Sequence, residues 1–289
     1  LQIGIDLPSN IPGAKGDFIL DWARKADAGP FSSIGVIDRI TFDNYEPMVT
    51  LAAAASVTKR VRLVTNILMA PLRNAGILAK QAASVDALSN GRLTLGLAVG
   101  RRAADFKAAP ADSSHRGKFF DGQLETMKRI WSGESLADDI GPIGPAPVQK
   151  GGPEIYIGGT NPAAIARVGR WADGYIAGSG SAENAGGAYK LAEDSWKANG
   201  RSGKPKFMCV FYFALGDEAA EFGPAYVLNY YKLMGAAAEP MAKAVPTTVE
   251  QVKEVIKARE AIGMDEIMFM PTRGTMDQME RLADIVGSL

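Results

Sequence analysis

The stretch from Tyr45 to Asp105 reads helix, strand, helix, strand, and neither strand turns back into an antiparallel partner. Pro47 suits a first helical turn, where its missing N–H leaves nothing unpaired. Met48, Leu51, Ala52 and Ala55 then recur on one helical face. The run 61–68 is rich in Val and Leu, as in a strand buried on both faces. Leu78, Ala82, Val85 and Leu88 make the next helical stripe, and Asn90-Gly91 stops it. Over 93–99, Leu93, Leu95, Leu97 and Val99 alternate with Thr94, Gly96 and Ala98. One face of that strand is therefore roomy and the other packs against helices. Functional residues are expected just beyond the two strand ends, at Thr65-Asn66-Ile67 and Gly100-Arg101-Arg102.

The same alternation runs through the chain. Further strands are predicted over 3–7, 33–37, 154–157, 174–177, 206–215 and 266–270. Helices fall between them: one capped by Asp17 and ended by Gly29-Pro30, then 119–131, 162–171, 183–199, 226–234, 248–262 and 276–286. Residues 103–117 read as a loop. The Gly/Pro-rich 133–153 has no periodicity and reads as an insertion between the fourth helix and the fifth strand. Eight strands alternating with helices favour a (β/α)8 TIM barrel, one domain over 1–289. The competitor, an open doubly wound sheet, would carry G-x-G-x-x-G after its first strand, where this chain has Leu7-Pro8-Ser9.

Composition narrows the function. Lys and Arg number 32, as do Asp and Glu, so no net field draws nucleic acid or an anionic membrane. No apolar run reaches the roughly 18 residues of a membrane span, and LQIGIDLPSN lacks a signal-peptide pattern. With the single Cys209, this predicts a soluble cytoplasmic protein without an internal disulfide. One histidine and one cysteine argue against a zinc site, so no metal is expected.

The predicted strand ends carry no histidine and no neighbouring carboxylate pair, which excludes a serine triad and disfavours two-carboxylate glycoside chemistry. A chain so poor in acids and bases points to a cofactor as the source of the chemistry. Gly158-Gly159-Thr160-Asn161-Pro162 is either a phosphate seat at a helix start or a tight turn that needs glycine. Asp38 is the one candidate proton carrier, or else a cap for its loop, with Arg39 a candidate ion-pair partner. Arg101 and Arg102 either meet a phosphate or pair with surface carboxylates. His115 lies in a polar loop and Cys209 reads as a small buried hydrophobe. Met69, Phe211, Phe213, Tyr230 and Tyr231 read mostly as core, and Phe106 is singled out as a pocket residue.

At this point the residues carry a resemblance. The run EPMVTLAAAASVTKRVRLVTNILMAPLRNAGILAKQAASVDALSNGRLTLGLAVG resembles the signature of the bacterial luciferase-like flavin-dependent monooxygenases. Gly117-Lys118-Phe119-Phe120-Asp121 with Ile130-Trp131-Ser132-Gly133, and Gly152-Pro153-Glu154-Ile155-Tyr156-Ile157-Gly158-Gly159 with Ala172-Asp173-Gly174-Tyr175, match in the same order. So does Gly263-Met264-Asp265-Glu266-Ile267. The resemblance implies a barrel, commonly a homodimer, that binds FMN or the deazaflavin coenzyme F-420 at the strand C-termini. It places a strand-three bulge, often with a non-prolyl cis peptide, on Asn66-Ile67 against one face of the flavin ring. Val99 and Gly100 fall beside the ring, Arg101 at a phosphate or ring contact, and Gly158, Gly159 and Thr160 at the phosphate turn, with Gly178 a further cofactor contact. Arg39 and Phe106 fall to the substrate pocket. Where many members have Asp-His or Glu-His after strand two, this chain has Asp38-Arg39. The implied activity is oxidation of a small organic substrate by O2 with reduced FMN, supplied by a separate flavin reductase. The alternatives are hydride transfer with F-420, in which Asp38 orients substrate or moves a proton, and a flavin-binding protein without catalysis.

Overall fold

In the computed structural model, which describes residues 1–289, eight parallel strands close on themselves in sequence order. They are β1 (Gln2–Asp6), β2 (Ser33–Val36), β3 (Arg62–Met69), β4 (Leu93–Ala98), β5 (Glu154–Gly158), β6 (Gly174–Ala177), β7 (Lys206–Phe213) and β8 (Glu266–Pro271). Pairing of β1 with β8, from Gln2 opposite Glu266 to Ile5 opposite Phe269, completes the ring. The expected (β/α)8 barrel is the observed fold.

Strand parity decides what lies inside. Ile3, Ile5, Ile34, Leu63, Leu93, Leu95 and Leu97 face outward into the core shared with the helices. The inner positions hold Val64, Tyr156, Ile176, Met208 and Met268, which pack as a separate cluster. Glycine makes room for them: a Cβ on Gly4 would stand 2.3 Å from the Met268 sulfur. At the N-terminal end, Arg62 reaches Glu154 at 3.3 Å and also pairs with Glu266, which accepts from the Ser33 hydroxyl at 2.5 Å. This polar plug lies at the N-terminal end of the barrel, away from the strand C-termini where barrel active sites form.

Several local expectations change. Asp17 does not cap the Gly16–Ala28 helix; Lys15 stands at the cap, and Asp17 accepts the amide of Phe18 at 2.8 Å. The loop expected after β4 contains a short helix, Ala103–Ala108. The helix expected over 162–171 is two pieces, Pro162–Ile165 and Arg167–Trp171. Leu88, expected in the core stripe of the Ala75–Leu88 helix, is 71 % exposed. Residues 133–153 form neither helix nor strand but are fastened. Buried Asp86 accepts from the amides of Val148 (2.8 Å) and Gln149 (3.0 Å) and from Gln149 Nε2 (2.6 Å). Beyond β7, the Ala219–Tyr230 helix, a tight turn over Lys232–Ala238 and the Glu239–Lys243 helix extend the β7 side of the barrel mouth. No helix is long and apolar enough to cross a membrane.

Candidate active site

The C-terminal rim is shaped by an irregularity in β3. Thr65 pairs with Leu95 and Leu68 with Leu97, so β3 carries one residue more than β4 in that interval. Bulges of this kind recur at barrel rims beside functional sites, because the extra residue re-aims its neighbours. The Asn66–Ile67 peptide bond is cis. Asn66 and Ile67 both turn inward. Asn66 Nδ2 donates to Asp6 Oδ1 at 2.7 Å, and a Cβ on Gly158 would stand 2.1 Å from Ile67 Cδ1.

Asp6 is only 1 % exposed and has no cationic partner. Burial raises its carboxyl pKa from 3.8 to about 8, against the opposing pull of the Asn66 amide. At neutral pH it therefore holds its proton. Asp6 was absent from the residues read as functional, although one signal existed: a carboxylate at the inward parity of an apolar strand, two residues after Gly4.

Asp38 has a different environment. Arg73 grips it in a bidentate pair, Nη1 to Oδ2 at 2.6 Å and Nη2 to Oδ1 at 3.1 Å, and the Met69 amide donates to Oδ2 at 2.9 Å. Arg73 also reaches Glu46 at 2.9 Å. Arg73, not the adjacent Arg39, is thus the ion-pair partner of Asp38; sequence adjacency put the two side chains on different sides of the loop. Arg39 instead donates Nη1 to the Tyr230 carbonyl at 2.9 Å and lies over the rings of Phe42 and Tyr230, at 4.9 and 4.7 Å. Asp105 secures the same loop by accepting from the Thr41 amide (2.9 Å) and hydroxyl (2.8 Å).

A tyrosine cluster covers the β7 side of the mouth. Tyr212 packs with Tyr226, Tyr230 and Tyr231, its hydroxyl 3.2 Å from that of Tyr231. The Tyr226 hydroxyl donates to the Asn10 carbonyl at 3.0 Å. Burial pushes all four phenols above their ordinary pKa, so they remain neutral hydrogen-bonding groups. Across from them, Gly100 has φ +72, which favours glycine, and a Cβ there would stand 3.3 Å from both Met69 Sδ and Phe106. Phe106 is buried against this turn and Val99 is half-buried. Phe211 and Phe213 face the outer core.

On the β5 side, Gly159 has φ +140 and its carbonyl accepts from the Tyr175 hydroxyl at 2.9 Å. Thr160 is exposed, Asn161 caps the next helix through the Ala163 amide, and the amides of Gly159, Thr160 and Asn161 have no backbone acceptor. Gly178 is exposed with open space around it.

A flavin ring presents carbonyls and an N–H along one edge and needs matching polar groups. The mouth supplies them: Ser9 Oγ, Asn10 Nδ2, Arg39 Nε, Asn66 Oδ1 and Asp105 Oδ2 are buried without a partner. Buried polar atoms are ordinarily satisfied, so their gathering around one rim marks a place for a polar ligand. The donor set fits a flavin. Other groups lie apart. His115 is on the surface with Asp112 at 2.8 Å, and Cys209 is buried with its thiol pushed up to about 12. No group of three or more His, Cys, Asp or Glu side chains is arranged around a metal position.

Comparison with known proteins agrees with the fold. An uncharacterised protein of Mycobacterium tuberculosis is 28 % identical over 184 residues, 61 % of this chain and 65 % of that protein. The match therefore spans just under two thirds of that relative's length. A monooxygenase from Streptomyces bottropensis has a similar structure, with TM-score 0.81 at 20 % identity over 99 % of this chain and 97 % of the other. An F-420-dependent secondary alcohol dehydrogenase, solved with an F-420–acetone adduct, gives TM-score 0.80 at 15 % identity over 99 % and 98 % of the two chains. At these identities the structural likeness speaks for the fold alone. The family model for luciferase-like monooxygenases matches residues 6–268, nearly the whole barrel, and the chain belongs to that family.

Proposed function

We propose that this protein is a flavin-dependent oxidoreductase that uses reduced FMN and O2 to oxidise a small organic substrate. The observation that carries the reading is the set of unpartnered buried polar atoms at the β1 to β4 ends of the mouth, together with the β5-turn amides that have no backbone acceptor. In this reading Asn66, Ile67, Val99 and Gly100 border the ring, while Gly159, Thr160 and Gly178 lie toward the phosphate. FMN supplies the redox chemistry when bound; the protein orients it, excludes water and manages protons.

Asp6 is the group suited to proton handling, because a neutral buried carboxyl can donate from Oδ and then recover its proton. Asp38 is better suited to fixing the β2 loop through Arg73 and the Met69 amide than to moving a proton. Reduced FMN would come from a separate flavin reductase. A second reading, hydride transfer with F-420, draws support from Arg101 and Arg102, since neither has an ionic partner and that coenzyme has an acidic tail. Titration of the purified chain with FMN and with F-420, each oxidised and reduced, tests both readings. Reduced FMN should bind at micromolar concentration and the complex should consume O2. Tight F-420 binding without an FMN response would overturn the O2 reading, and binding of neither would overturn the flavin site.

A further inference from the structure

Arginines without a carboxylate partner differ in what their guanidinium groups do. Arg60 and Arg92 use their guanidinium groups as staples. Arg60 donates to the carbonyls of Ala26, Asp27, Gly29 and Phe31, and Arg92 to those of Ala55, Thr58, Val61 and Ser89. Arg101 and Arg102 do nothing of the sort. A guanidinium carries five N–H donors. The Arg101 side chain has one contact, to the Met234 sulfur at 3.3 Å, and the Arg102 guanidinium makes no hydrogen bond. Arg102 lies 5.0 Å from the Tyr230 ring centroid and 5.3 Å from that of Tyr231, with Nη1 fully buried and unpartnered.

The two residues line a cavity of about 410 Å³ with Ala103, Ala104, Leu233, Met234 and Ala237. Stacking on tyrosine offsets part of the desolvation of Arg102 but satisfies none of its donors. A planar fork that finds no acceptor within the fold suits a carboxylate, which accepts two parallel N–H bonds. The Tyr230 and Tyr231 rings beneath Arg102 belong to the tyrosine cluster on the β7 side of the mouth, which sets the cavity beside it.

We propose that the cavity between the β4 turn and the 232–238 turn is an anion subsite, in which Arg101 and Arg102 receive the carboxylate of an organic ligand whose remainder extends into the barrel mouth. This rests on the flavin reading only for what lies in the mouth. The carboxylate has two possible sources, an organic acid substrate or the oligoglutamate tail of F-420, and the chemistry recognised is the same.

The test uses the full chain, without and with saturating FMN. Benzoate and hexanoate are titrated against benzamide and hexanamide by calorimetry, and F-420 against tail-free 5-deazariboflavin. If the ligand is a substrate acid, the acids bind about 10-fold or more tighter than their amides, as expected for a charge-assisted bidentate contact. If it is the coenzyme tail, F-420 exceeds 5-deazariboflavin by a similar factor. Either preference should weaken with salt and collapse in R101Q/R102Q. R101Q alone, at an exposed position, reads out the same loss if the double variant melts early. R102K should recover part of the preference, because it keeps the charge and loses the fork. Equal binding of charged and neutral partners in wild type, or a preference that survives R101Q/R102Q, overturns the subsite. Selective acid binding with no affinity for FMN or either deazaflavin sinks the flavin reading and leaves the subsite standing; flavin binding without acid selectivity does the reverse.

Discussion

Replacing Asp6 by Asn should remove a pH dependence from the stability of the whole barrel. The carboxyl is buried among neutral groups, with the Asn66 amide as its one hydrogen-bond donor, and its pKa rises from 3.8 to about 8. Below pH 3.8 both folded and unfolded chains are protonated at this position. As pH rises, the unfolded chain ionises first while the folded chain keeps its proton, so stability falls up to the folded pKa and then levels off. Each pH unit between the two values corresponds to about 1.4 kcal/mol, so the full window represents roughly 6 kcal/mol. Relaxation and water entry around a buried charge reduce the measurable part to about 2–4 kcal/mol. Asn is nearly isosteric and its Oδ1 can still accept from Asn66. Urea unfolding of wild type and D6N at pH 5, 7 and 9 gives the comparison. Other titrating groups are common to both proteins and cancel in the difference. The D6N advantage should grow by about 1.5–3 kcal/mol from pH 5 to pH 9, which spans about three of the four units between the two pKa values. Parallel pH profiles would refute the assignment of a neutral, proton-holding carboxyl at the mouth.

Other expectations follow from the same contacts. Asp86→Ala removes the acceptor that fastens 133–153, and should lower stability by about 2–4 kcal/mol while opening that segment to limited proteolysis; an unchanged cleavage pattern would contradict the fastening role. Asp27 accepts the amides of Lys59, Arg60 and Val61, and these bonds hold its carboxyl below its ordinary pKa of 3.8. Its stabilisation is present above that value and lost as pH falls through the lowered one, so D27N should show a shallower acid-unfolding limb than wild type. The Pro47–Val57 and Ala75–Leu88 helices leave Val49 and Ile77 more than half exposed beside Leu88, a face suited to a second copy of the chain. Leu88→Lys should shift light-scattering mass from dimer toward monomer without changing the circular dichroism spectrum; a monomeric wild type would remove that assignment.

The element order was legible because strands buried on both faces stand out as apolar runs, and helices as stripes cut by Gly and Pro. Eight such pairs in sequence favour the closed ring over an open sheet, and the pairing of β1 with β8 completes it. Asn66, Gly100 and Gly159 were legible as rim positions because a strand end is a local feature, marked where periodicity stops. Leu88 misled because helical periodicity names a face but cannot say whether another helix of the same chain covers it. Asp17 misled because a cap depends on which residue takes the extended conformation, and here that is Lys15.

The partners at the mouth belong to a different class of information. Asp6 meets Asn66, Asp38 meets Arg73, and Arg39 and Arg102 meet Tyr230 across separations that no local pattern encodes. Local propensity and side-chain parity act over a few residues, and they determine the strands, the helices and the inward or outward sense of each side chain. Which carboxyl stays neutral and which is ion-paired depends on burial and on charges brought near by closure of the ring. Closure sets Asp38 against the Arg73 cation and encloses Asp6 among neutral groups, although in sequence both are simply an aspartate near the end of a strand.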